Sequence, residues 1–134
     1  MAKIIDIEGI GTKYAEKFNE IGINTVAQLL KAGAQPKGRE ELAEKTGISK
    51  TLILEWVNHA DLYRIKGVGE EYSDLLEEAG VDTVVELATR NAENLYNKII
   101  EVNTEKKLVR RPPSQKMVED WILQAKDLPR AVFY

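Results

Sequence analysis

Two short glycine-bearing stretches have the residue types and spacing to do chemistry: Gly9-Ile10-Gly11-Thr12-Lys13 and Gly67-Val68-Gly69. Each opens a helical pattern with a small residue, Ala15 or Ser73, on its inner face. Glycine suits a backbone that turns tightly or that another group must approach closely. The first N–H groups of a helix have no intrahelical partner, and the helix dipole favours negative charge beside them. Such a turn suits an oxyanion, and a phosphate held there would fix a nucleic-acid backbone without any base being read. Ile10 and Val68, between the glycines, are expected to plug each turn into the core.

The two stretches differ in the charges behind them. Thr12, Lys13 and Lys17 follow the first pair and suit a phosphate. Glu70, Glu71 and Asp74 follow the second and would repel one beyond short range. A further cationic cluster, Lys106, Lys107, Arg110 and Arg111, is the densest in the sequence and would follow a phosphate backbone through salt-sensitive attraction. The candidate nucleic-acid contacts are therefore Gly9, Ile10, Gly11, Thr12, Lys13, Lys17, Gly67, Val68, Gly69, Lys106, Lys107, Arg110 and Arg111. The competing reading is that both turns only join packed helices and that the cationic cluster is a solvated loop.

Catalytic chemistry has little to work with. His59 is the sole histidine, there is no cysteine, and no nucleophile motif appears. The sequence predicts no enzyme activity, no cofactor and no metal, with His59 at the surface or partly packed. Carboxylate pairs such as Glu16 and Glu20, or Glu40 and Glu44, read as solvated helix faces. Trp56 and Trp121 sit amid apolar faces and read as core anchors rather than base-stacking platforms.

The elements that must position these residues form a repeat. Ile7 to Phe18 recurs as Ile65 to Leu76, 58 residues on, and Gly22, Thr25 and Leu29 recur as Gly80, Thr83 and Leu87. Ser49 and Trp56 then match Ser114 and Trp121 at an offset of 65. The expected organisation is one domain over 1–134, with repeat one at 3–62 and repeat two at 63–130. The extra length forms an inserted basic loop at about 104–113, where Pro112-Pro113 cannot continue a helix. The first turn has no full helix before it. The sequence therefore suggests a closed, pseudo-twofold arrangement, with the helix of Trp121 beside the first turn and that of Trp56 beside the second.

Every long segment has helical spacing, so the fold class is all-α. Thr25 and Ser49 are expected N-caps. Pro36 to Gly38 are expected to break the chain before a short helix from Arg39 to Lys45. Ile4-Ile5 and Val132-Phe133-Tyr134 could be short extended pieces. Ala43, Gly47 and Ile53 also have helix-turn-helix spacing, which would make residues 49–58 a groove-reading helix with Lys50, Thr51 and Asn58 outward; we read it as a packing turn.

The apolar-x-Gly-apolar-Gly pattern resembles the helix-hairpin-helix motif. With Thr46-Gly47-Ile48-Ser49, Trp56 and Ala60-Asp61-Leu62, nearly the whole chain resembles a family of small bacterial and archaeal proteins that carry tandem copies of it and have no assigned role. The resemblance implies the fold and leaves the function open.

Composition limits the choices. Hydrophobic residues make up 43% and charged residues 31%, ordinary for a globular protein, and the net charge is −3. No apolar run approaches the ~20 residues that span a bilayer, and the first residues lack a signal-peptide stretch, so a cytoplasmic protein without a membrane partner is expected. A surface that grips nucleic acid widely is usually basic. Any contact with DNA or RNA phosphate must then be local and independent of base sequence. The alternative is a protein-interaction or scaffold domain, self-association included, that keeps the fold without binding nucleic acid. It would expose an apolar patch, for instance under Val132-Phe133-Tyr134.

Overall fold

Side-chain caps set where most helices begin. The hydroxyls of Thr25, Ser49, Thr83 and Ser114 accept from the backbone N–H of Gln28, Leu52, Glu86 and Met117. The Asn91 carbonyl oxygen does the same for Asn94. Each satisfies a donor that the first helical turn leaves open. In the computed structural model, which describes residues 2–134, the helices are α1 (Thr12–Glu20), α2 (Val26–Ala32), α3 (Pro36–Thr46), α4 (Lys50–Leu62), α5 (Glu70–Glu78), α6 (Val84–Ala88), α7 (Ala92–Lys106) and α8 (Gln115–Asp127). A 3-10 turn at Ile4–Asp6 precedes them. No strand occurs among the described residues; the nearest approach is a single antiparallel bridge between Lys3 and Thr25. The protein is all-helical, and no helix of the described residues is long and apolar enough to cross a membrane.

The chain divides into two units. The first runs to Asp61 and takes back Ala131–Tyr134; the second is Leu62–Arg130. Phe18, Leu29, Ile53 and Val57, all fully buried, anchor the first. In the second, α8 packs on α6 and α7, and its Val118, Trp121 and Ile122 join Leu76, Val81, Leu87 and Ile99 in one apolar core.

Several elements depart from the sequence expectation. Residues 36–38 start α3 instead of breaking the chain: Pro36 occupies its first turn, where a missing N–H costs nothing. Gly38 lies inside the helix because α3 crosses the end of α2 there. A Cβ on Gly38 would sit 2.2 Å from the Ala32 carbonyl oxygen. Ile4-Ile5 is a 3-10 turn and not extended. Helix α7 continues to Lys106, so the irregular basic stretch begins at Lys107. His59 is buried, at 2% exposure, not at the surface. Val132 is buried as well, while Phe133 and Tyr134 are exposed, so the expected apolar patch is reduced to these two rings.

The tryptophans reverse the expected exchange. Trp56 lies against the first glycine turn and Trp121 against the second. Each unit supplies its own indole.

Replacing Gly38 by Ala tests the α2–α3 crossing. In an open helix this change would stabilise by about 1 kcal/mol. Here the added methyl meets backbone, so Gly38→Ala should lower unfolding stability by about 1–3 kcal/mol in urea denaturation.

Candidate anion-docking turns

The two turns share the conformation of their first glycine and the packing around it, and differ at the second, where Gly11 has φ of 16° and Gly69 φ of −123°. Gly9 has φ of 93° and Gly67 φ of 96°, a region that L side chains rarely adopt. A Cβ on either glycine would stand 3.3 Å from an indole Nε1, that of Trp56 or Trp121. The Tyr14 and Trp56 rings are 5.2 Å apart at 53°, and Tyr72 and Trp121 are 5.2 Å apart at 52°. Phe18 adds an edge-on contact to Trp56. The Ile10 N–H donates to the Ile7 carbonyl at 3.2 Å, and the Val68 N–H to the Ile65 carbonyl at 3.1 Å. Ile10 and Val68 are both buried and plug their turns.

The second glycine of each pair is the N-cap of the following helix. Gly11 precedes α1 and Gly69 precedes α5, and neither cap has a side chain to accept from the first-turn amides. The space where a Cβ would lie is open at both. This leaves N–H groups near solvent at the positive end of a helix, which is the arrangement an oxyanion needs.

The charges separate the two. The first turn of α1 holds no acid; Thr12 and Lys13 are exposed there. Lys17 is half-buried one turn further on, in the last turn of α1, where it also complements the negative helix end. The first turn of α5 holds Glu70 and Glu71, both exposed. Those carboxylates already supply negative charge at the helix start. Gly11, Thr12 and Lys13 thus come together at one turn, while Gly67, Val68 and Gly69 belong to an acidic one.

The basic stretch belongs to the second unit and is held, not loose. Lys107 ends α7 in the left-handed region, with φ of 52°. The Asn103 side chain brackets Val109, accepting from its N–H at 2.9 Å and donating to its carbonyl at 3.1 Å. Val109 is buried, and the Tyr72 hydroxyl donates to the Arg111 carbonyl at 2.9 Å. Lys106 pairs with Glu78 of α5, and that hydrogen bond raises the ammonium above its ordinary range, with Glu105 and Asp74 adding to the effect. Lys106 thus shares a surface ion pair within its own unit. Lys106, Lys107, Arg110 and Arg111 are all exposed. The Asn103 bracket and the Tyr72 contact have no signature in residue type or spacing. Beside α1 lies an open groove of about 470 Å³ whose lining includes Lys3, Ile5, Thr12, Glu16 and Asn19, which sequence reasoning missed. In the helix-turn-helix alternative, Lys50 and Thr51 are exposed and Asn58 is half-buried, with its side chain accepting from the Tyr134 hydroxyl.

Comparison with known proteins gives one positive result. The family described as a domain of unknown function, DUF4332, matches residues 8–128 and so takes in both glycine turns and both tryptophans. No curated protein and no solved structure is similar enough to match.

The shared geometry predicts shared sensitivity. Gly9→Ala and Gly67→Ala should each cost about 1–2 kcal/mol, because both force a Cβ into the left-handed region beside an indole. Paired thermal melts check this; a loss at one site alone would show that the turns are not equivalently clamped.

Proposed function

The chain belongs to the DUF4332 family, which carries no assigned activity, and we propose that it is a non-catalytic nucleic-acid-binding module that docks a backbone phosphate on its first glycine turn. Under this reading the two turns are tandem helix-hairpin-helix motifs. Only the first keeps the anion role. The observation that carries it is the contrast between two helix starts, each following a left-handed glycine and a glycine N-cap: Thr12 and Lys13 at α1, and Glu70 with Glu71 at α5. Lys107, Arg110 and Arg111 would add weaker, non-specific attraction from the second unit, while Lys106 is engaged with Glu78. The net charge of −3 fits local docking and not a broad basic surface.

The rival reading is a protein-interaction domain that retains the fold. The acids of the second turn favour it, since they leave that turn unsuited to phosphate.

Anisotropy titration of labelled duplex and single-stranded DNA at ~50 mM salt separates the two. The proposal predicts binding that is indifferent to base sequence and falls steeply with salt. Lys13→Glu should weaken it about ten-fold for all sequences alike, and Glu70→Lys with Glu71→Lys should strengthen it. No binding at low salt would remove the nucleic-acid reading for this chain.

A further inference from the structure

Thr12, Ala15, Glu16 and Asn19 have the spacing that places side chains on one face of a helix, here α1. That face forms one wall of the groove of about 470 Å³. The other wall is the chain at residues 3–5 with the loop at Asn24, and main-chain bonds fix it in place. The Ile4 N–H donates to the Asn24 carbonyl at 3.0 Å, the Val26 N–H donates to the Ala2 carbonyl at 3.0 Å, and Lys3 bridges to Thr25. Ile4 and Ala15 are buried and give the groove an apolar floor, beside which Ile5 stays 43% exposed.

An apolar floor, a few polar groups around it and walls already formed are what a small-ligand seat requires. Lys3 and Glu16 line the groove with opposite charges, so the groove itself has no preference for an anion. Asn19 and Asn24 are exposed, and each amide offers donors and an acceptor. Neither of these side chains is engaged with another described residue. A flat, uncharged body with a polar edge matches this set, and a nucleobase is such a body. Thr12 belongs both to the groove and to the first turn of α1. A strand whose phosphate docks at Gly11, Thr12 and Lys13 therefore brings the attached base to the groove, which continues to Asn19 about 10 Å further along the helix axis. A base inside a duplex has its edge paired and its faces stacked, and cannot enter. We propose that the groove seats one unpaired base of single-stranded nucleic acid, beside the phosphate docked on the α1 turn. This rests on the phosphate-docking reading and adds to it the class of nucleic acid, single strand over duplex. Amides that both donate and accept suit any base edge, so the preference for a single strand carries no preference for sequence.

Titrations of the full chain with a labelled single strand of mixed sequence, and with the blunt duplex formed from it, test this at ~50 mM salt. The single strand should bind about ten-fold more tightly than the duplex. Asn19→Ala with Asn24→Ala should remove that advantage and leave duplex binding unchanged. Ile5→Ser, at an exposed position, should act in the same direction. The backbone amide resonances of Ile5, Glu16 and Asn19 should shift with the single strand and not with the duplex. Equal affinity for the two forms overturns this inference and leaves phosphate docking standing, whereas no binding of either removes both. Folded variants that keep the full preference for the single strand also overturn it. If the paired asparagine variant does not fold, Ile5→Ser and the resonances of the unaltered chain decide.

Discussion

The contact of each indole with its left-handed glycine is the constraint on which the rest of the structure depends. Gly9 turns the chain in a conformation that needs the absence of a side chain, and Trp56 fills the space that absence leaves. Gly67 and Trp121 do the same in the second unit. Once the turn is fixed, Ile10 or Val68 is driven inward and the next helix must begin at a bare glycine N-cap. The absence of a side-chain cap at the start of α1 and of α5 therefore follows from packing. It holds whether or not an anion ever binds.

Charge then decides what each turn can do. At α5 the first-turn glutamates complement the helix dipole, and the neighbouring acids Asp74 and Glu78 draw in Lys106. One surface ion pair, Lys106 with Glu78, links the acidic helix to the start of the basic stretch. At α1 the helix start has no such internal anion, and the adjoining side chains are a hydroxyl and an ammonium. The same scaffold thus presents one self-satisfied turn and one with an unmet preference for negative charge.

The periodic features of this fold were legible in the sequence. Glycine at equivalent positions, the caps Thr25 and Ser49, and the helical spacing of apolar residues each have a local physical cause, and local causes leave local signatures. Pairing was not legible. The offset relating Trp56 to Trp121 says that they are equivalent, but not which turn each visits. Pro36 was ambiguous because proline both ends helices and begins them. The Asn103 bracket around Val109 and the reach of Arg39 to Phe133 depend on tertiary placement, and an asparagine or arginine on a helix looks the same with or without such a partner. The candidate site fared similarly: Gly11, Thr12 and Lys13 are neighbours in sequence and in space, whereas the engagement of Lys106 with Glu78 was hidden by their separation.

The central claim is that two equivalent turns with opposite charges behind them differ in their affinity for phosphate. Backbone amide resonances followed while a short DNA duplex is titrated in at low salt test it most directly. The account predicts saturable shifts at Gly11, Thr12 and Lys13 and little movement at Gly69, Glu70 and Glu71. Equal shifts at both turns, or none at the first, would contradict it.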